Sequence, residues 1–233
     1  MKRVTSVLLT LSRLIVFPFL SHSSTPERAS EYDIWWRGFR IGEGKLTTHA
    51  AGEGSVAFRS VIHVSAGVPG FRHSLDSIED AVAGPNGTLS YSRTATENGK
   101  KSASEGIFKN GVFKLDVTVD GKHTTYSFPR HDYDATTMDC PEKIMGPERK
   151  ELTLRILDLE TAGIVTRKYR WVGSERMTVS RRDLSASVVD YQDEGKKGRR
   201  WLRANEPVVH VLRQDGTGKN GSYSLRIKGF KES

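Results

Sequence analysis

Between Gly111 and Asp120 the chain alternates at every position. Phe113, Leu115, Val117 and Val119 stand at one parity, and Lys114, Asp116 and Thr118 stand between them. A period of two puts successive side chains on opposite faces of an extended strand, so these four apolar residues are expected to be buried together. Leu89, Tyr91 and Arg93 alternate in the same way against Ser90, Ser92 and Thr94, and Tyr223, Leu225 and Ile227 alternate against Ser224, Arg226 and Lys228. Further extended segments are predicted at Tyr32–Trp36, Ser55–Ser65 (with a bulge near Ser60), Ser102–Phe108, His123–Phe128, Leu152–Leu157, Ile164–Trp171, Arg176–Arg182, Ser187–Gln192, Arg200–Arg203 and Val208–Arg213. Leu75–Val82 fits either period and reads as a strand among strands.

Turn chemistry closes the pattern. Asn-Gly or Asp-Gly pairs occur at Asn86-Gly87, Asn98-Gly99, Asn110-Gly111, Asp120-Gly121, Asp215-Gly216 and Asn220-Gly221. Such pairs accept the positive φ of tight hairpins at little steric cost. Asp134–Met145 lacks alternation and reads as a loop with a short helix. The expected fold is all-β: a single antiparallel, strongly curved sheet forming an open or closed barrel, with one or two short helices.

The N-terminus is different. Lys2 and Arg3 precede a mostly apolar run, Val4–Leu20, followed by small and polar residues. That layout predicts a signal peptide over residues 1–23, a flexible leader over 24–31 and one domain over 32–231, in a periplasmic or secreted protein. Arg13 interrupts the apolar run, and no later stretch is long and apolar enough to span a bilayer. Cys140 is the one cysteine of the 233 residues, so the domain must stand without an internal disulfide. The net charge is +8, and since residues 1–23 hold three basic and no acidic residues, the remainder carries +5. A modest excess of this kind suits solubility or anionic partners such as lipid headgroups and acidic glycans. The densest basic run, Lys196–Arg200, reads as a solvated loop tip.

Two groups of residues are candidates for chemistry. The first is the irregular segment with His131, Asp134, Asp139, Cys140 and Glu142. Its residue types suit acid/base or ligand roles, but the spacing matches no zinc or thiol-enzyme pattern, and loop carboxylates more often cap turns. The second is the set Trp35, Arg167, Tyr169, Trp171 and Tyr223, expected to face inward and line a ligand cavity. Arg167 there needs an anionic headgroup or a carboxylate such as Asp116. The sequence assigns no catalytic residue, metal or cofactor, and diffuse basic-aromatic interleaving gives no support to nucleic-acid binding.

The segment Tyr32-Asp33-Ile34-Trp35-Trp36-Arg37-Gly38-Phe39-Arg40-Ile41-Gly42-Glu43 resembles the opening of a bacterial envelope family known only as a domain of unknown function. Asp132-Tyr133-Asp134-Ala135-Thr136-Thr137-Met138 followed by Arg155, and Arg200-Trp201-Leu202-Arg203-Ala204-Asn205 before Pro207-Val208, resemble its later elements. Cys140-Pro141-Glu142 and the basic run depart from it. The resemblance implies a periplasmic half-barrel similar to the outer-membrane lipoprotein carriers, whose curved sheet encloses acyl chains. Three readings follow: an envelope protein binding a lipid-like or other amphipathic ligand, a hydrolase or metal-dependent enzyme using residues 131–142, and a scaffold with an envelope protein partner.

Overall fold

The computed structural model describes residues 28–52, 54–68, 71–203, 209–218 and 221–232. The strands are β1 (Arg28–Trp36), β2 (Phe39–Ala50), β3 (Val56–Val68), β4 (Phe71–Gly84), β5 (Gly87–Glu97), β6 (Lys100–Lys109), β7 (Val112–Val119), β8 (Lys122–Pro129), β9 (Ala135–Thr136), β10 (Glu151–Asp158), β11 (Gly163–Val179), β12 (Arg182–Gln192), β13 (Lys197–Arg203), β14 (His210–Gly218) and β15 (Gly221–Glu232). All fifteen belong to one sheet, ordered β8-β7-β6-β5-β4-β3-β2-β1-β15-β14-β13-β12-β11-β10-β9. Every pairing is antiparallel except β9 with β10. The first and last strands, β1 and β15, therefore pair in the middle of the sheet. The segment after β8 carries the chain from one free edge to the other through two 3₁₀ turns, Arg130–Asp132 and Pro141–Ile144.

Hairpin chemistry explains this order. Asn98-Gly99, Asn110-Gly111 and Asp120-Gly121 all take positive φ at both positions, and Arg37-Gly38 does the same between β1 and β2. Such turns match the right-handed twist of the strands they join. The turn before Gly87 lies between β4 and β5, and Gly218 pairs with Gly221 where β14 meets β15. Asp215-Gly216 is an exception: it sits inside β14. A Cβ on Gly216 would stand 2.5 Å from the Tyr223 ring, so glycine here makes room for an aromatic rather than a turn.

The core lies mostly on one face of the sheet, with a smaller cluster of Ala186, Val188, Trp201 and Leu212 beside it. Phe113 and Leu115 are wholly buried, with Ala81, Tyr91, Tyr133, Leu157 and Leu159 around them and Val117 partly buried at the margin. Val119, expected in the same set, is exposed at the end of β7. A second cluster gathers Ala135, Met145, Ile156, Tyr169, Val189, Tyr191 and Leu202, so the crossing segment covers the apolar face of β10–β13. The sheet curls until β9 reaches β5, where Thr88 Oγ1 and Thr136 Oγ1 are 2.7 Å apart. It is barrel-like but not closed by a continuous ladder.

Several expectations are corrected. Strand structure is present ahead of Tyr32: Arg28–Glu31 pair with both β2 and β15, and Ser30 is buried. No register shift occurs near Ser60; the irregularities fall at Glu31/Tyr32, Ile34/Trp35, Val82/Ala83, Trp171/Gly173 and Trp201/Leu202. The Lys196–Arg200 run is not a loop tip, since β13 begins at Lys197. The expected signal segment, residues 24–27 of the leader, and Ala204–Val208 of the third motif lie outside the described residues.

Candidate functional site

The loop candidates are fastened to the sheet. Asp134 accepts from the Arg155 side chain at 2.7 and 3.3 Å and from its backbone N–H at 2.8 Å. Those hydrogen bonds hold the Asp134 carboxyl below its ordinary pKa. Asp139 accepts from Thr88 Oγ1 at 2.7 Å and from the Thr136 N–H at 2.6 Å, which ties the segment to β5. His131 is exposed beside Asp132, 3.3 Å away. The His131 imidazole is therefore committed to a solvent-facing carboxylate, whereas the groups acting on Cys140 are Glu142, Arg200 and Lys143. Burial first, and Glu142 second, push the Cys140 thiol well above its ordinary range, the opposite of what a nucleophile needs. Among the described residues, no cluster of three or more His, Cys, Asp or Glu side chains is placed to hold a metal ion.

Glu142 joins the loop to a polar network inside the sheet. It is almost fully buried, and Arg200 Nη1 donates to its Oε1 at 2.5 Å. Arg200 Nε donates to Gln214 Oε1 at 2.7 Å, and Gln214 Nε2 donates to Tyr223 Oη at 2.7 Å and to Tyr191 Oη at 3.2 Å. The two phenols are 2.9 Å apart. Arg200 and Arg167 both lie over the Tyr191 ring, 5.0 and 5.6 Å from its centroid. Burial opposes the Arg200 charge, but Glu142 and its polar neighbours outweigh burial and raise the guanidinium pKa.

The inward candidates therefore fill space. Tyr169 is buried, and Trp171 Nε1 donates to Ser187 Oγ at 3.0 Å. Arg167 is buried as expected, but its partner is Asp193, at 2.8 Å with both side chains almost wholly enclosed; Asp116 instead accepts from Thr125. Trp35 is corrected. Its register partner is Ser224, whereas Tyr223 pairs with Trp36, so Trp35 lies on the opposite face from Tyr169 and Tyr223. Arg226 lies over it, 5.2 Å from the ring centroid.

That opposite face carries an open cleft. It holds about 880 Å³, crosses β10–β15 and is bordered by side chains of alternate parity to the buried ones. Across its middle, Asp190 accepts from Arg199 at 2.6 and 3.1 Å and from Arg170 at 3.1 Å. Asp215 accepts from Arg213 and from Ser224 Oγ at 2.6 Å. Beside this ladder runs a second row in register: Lys168 opposite Gln192, Gln192 opposite Lys197, Lys197 opposite Thr217, and Thr217 opposite Ser222. Tyr169, Tyr191 and Tyr223, from the other side of the pleat, form the floor. None of the row residues is a site candidate in the sequence, where Lys197 reads only as part of a solvated basic run. Their signal was the polar parity interleaved with Tyr169 and Trp171, and only the strand register reveals which cations are neutralised.

The fold is shared with a solved structure, the beta-barrel-like protein of domain of unknown function DUF1849 from Brucella abortus. The likeness covers 90% of this chain and 98% of that one, with a TM-score of 0.66 and 8% identity. At that identity the likeness establishes the fold alone. A provisionally assigned lipoprotein from Parabacteroides distasonis aligns over 89% of this chain and 96% of its own, at 10% identity and a TM-score of 0.34. No family model matches the sequence, and no curated protein matches it. The chain is thus a barrel-like antiparallel protein sharing its architecture with a domain of unknown function.

Proposed function

We propose that this chain is a non-catalytic cell-envelope protein that binds an amphipathic, lipid-like ligand through the cleft on the β10–β15 face. The observation that carries the reading is the division of labour between the two faces. Across the Tyr169–Tyr191 region of β10–β13 the aromatic and aliphatic side chains fill one face and the 880 Å³ opening lies on the other, charged one, which turns apolar again only further along, at Ala186, Val188 and Trp201. A ligand with a polar head finds fixed cations, amides and hydroxyls there, in a concavity of the size that ligand sites occupy. The loop of residues 131–142 supports a pinning role rather than a hydrolytic one, because Asp134, Asp139 and Glu142 each hold the crossing segment to the sheet. The Lys2-Arg3 start and the apolar run after it support export.

The experiment is tryptophan fluorescence during titration with phospholipid and fatty-acid micelles, on the wild type and on Trp35→Phe and Trp171→Phe. Trp35 borders the cleft face and Trp171 the packed one. A spectral shift lost in Trp35→Phe and kept in Trp171→Phe supports the cleft. No shift with any amphipath rejects the reading. A second reading, a scaffold, draws on β8: an edge strand exposed at each residue from Lys122 to Ser127. Such an edge offers unpaired backbone groups to another chain.

A further inference from the structure

The two parallel rows of the cleft differ in one respect that bears on its ligand. In the ladder row every arginine named above has a carboxylate: Arg170 and Arg199 share Asp190, and Arg213 holds Asp215. In the adjacent row, Lys168 and Lys197 have no carboxylate partner among the described residues, and both are exposed. Between and beside them stand only neutral donors and acceptors: Gln192 between the two lysines, Thr153 opposite Lys168, and Thr217 and Ser222 beyond Lys197. Gln192 belongs to β12, and the lysines to the strands on either side, so the two lysine Cα atoms are about 10 Å apart at the usual strand spacing.

We infer that this row reads a head carrying two phosphate monoesters roughly 10 Å apart on a hydroxylated, sugar-like frame, one phosphate at Lys168 and one at Lys197. The inference rests on the cleft reading above and names the ligand's chemistry. An ammonium is a compact point charge that suits a tetrahedral phosphate, whereas Arg199 is already held in a carboxylate fork by Asp190 and Arg226 lies against Ser224 and the Trp35 ring. Gln192, Thr153, Thr217 and Ser222 match hydroxyls, which can both donate and accept, better than they match acyl chains. In the ladder row Arg170, Arg199 and Arg213 are each engaged by Asp190 or Asp215, so the lysine row holds the cations without a carboxylate within ion-pair distance among the described residues.

The test is calorimetric titration of the full chain with a synthetic disaccharide bearing two phosphates at its ends, the same sugar with one phosphate, and the sugar with none. Each is used with and without acyl chains. The two-phosphate sugar is expected to bind about tenfold tighter than the one-phosphate sugar. Lys168→Gln or Lys197→Gln should remove that advantage, while Lys114→Gln, on β7, should leave it intact. Equal affinity for one and two phosphates, or a double Lys168→Gln/Lys197→Gln chain that still prefers two, overturns the inference. The deacylated and acylated arms separate a free phosphorylated glycan from a lipid headgroup. Should unphosphorylated amphipaths still shift Trp35 fluorescence while phosphate number has no effect, the cleft reading stands and only this inference falls. Should nothing shift Trp35, the cleft reading fails first.

Discussion

Arg200 of β13 donates to Glu142 of the crossing segment at 2.5 Å, and this one contact ties the loop that links the two sheet edges to the middle of the sheet. Glu142 is 1% exposed, and its second oxygen, Oε2, has no hydrogen-bond partner. A buried pair of this kind is costly to break from one side, because the survivor keeps its charge without its partner. Glu142→Ala is expected to destabilise the protein by about 3–5 kcal/mol. Glu148→Ala, on the same segment but exposed, should stay within about 0.5 kcal/mol of the wild type. Urea denaturation measures both; equal stabilities would mean that the pair does not fasten the segment.

The same contact governs the cysteine. Burial and the Glu142 carboxylate keep Cys140 as a neutral thiol, and only the thiolate attacks a disulfide reagent. Native protein at pH 8 should therefore react with Ellman's reagent at least about tenfold more slowly than free cysteine, and at the full rate once unfolded in urea. Glu142→Ala should speed the native reaction. A fast native reaction would show that the thiol is neither enclosed nor charged against.

A third expectation concerns acid. Asp134, Asp190, Asp193 and Asp215 all have depressed carboxyl pKa values. For Asp134 and Asp190 the largest cause is a hydrogen bond from an arginine, Arg155 and Arg199 respectively. For Asp193 and Asp215 burial pulls the other way and is outweighed by hydrogen bonds, from Arg167 in one case and Arg213 in the other. A carboxylate whose folded pKa lies below its unfolded value, about 3.9, stabilises the fold fully above that value, and the contribution disappears as the pH falls through the lower, folded one. Thermal melts from pH 6 to pH 2 should thus be flat at first and drop steeply only below about pH 4. Asp193→Asn, which leaves the buried Arg167 without its counter-charge, should lower the melting temperature at pH 6 and flatten the acid drop.

Leu115 and Val119 test the packed face. Leu115 is wholly buried against Phe113 and Tyr91, so Leu115→Ala should cost about 2–5 kcal/mol. Val119 shares its parity but stands exposed at the hairpin end, so Val119→Ala should cost less than about 0.5 kcal/mol. Chemical denaturation of the two variants side by side is the check, and similar costs would mean that the alternation, not the curl of the sheet, decides burial.

Val119 also marks how far the sequence can be read. Alternation and Asn-Gly pairs predict the strands, their hairpins and the all-β class, because both are local and the physics of a strand is local. Burial along a strand depends on which element lies across the barrel, and that is set by partners far away in the chain. Trp35 illustrates the limit. Its side is decided by pairing with Ser224, near the other end of the chain, and by the irregularity at Ile34/Trp35. Arg167 is a middle case: its inward parity predicts that it needs a partner, but Asp193 can be named only once β11 and β12 are paired, since it follows the last residue of β12. The lysine row of the cleft is invisible for the same reason. Lys168 and Lys197 are ordinary surface cations until the register places them in one row with Gln192, Thr153, Thr217 and Ser222.

Glu79 supplies a last prediction, of opposite sign to the aspartates. It faces the packed side of β4, and burial raises its carboxyl pKa against the pull of a 2.9 Å hydrogen bond from Tyr91 Oη and the charge of Arg93. A raised folded pKa means that the native state holds its proton more tightly than the unfolded chain. Stability is therefore greatest below the unfolded value, falls as the pH rises through the folded one, and stays reduced above it. Glu79→Gln keeps an oxygen to accept from Tyr91 and removes the charge that must be desolvated, while Arg93 retains Glu160 at 3.2 Å. The variant is expected to melt higher than the wild type at pH 7.5, and the gain should vanish near pH 4, where Glu79 is itself protonated. A Glu79→Gln protein that is less stable at pH 7.5 would show that the Tyr91 and Arg93 interactions outweigh burial, and that the carboxylate is a net stabilising group of the fold.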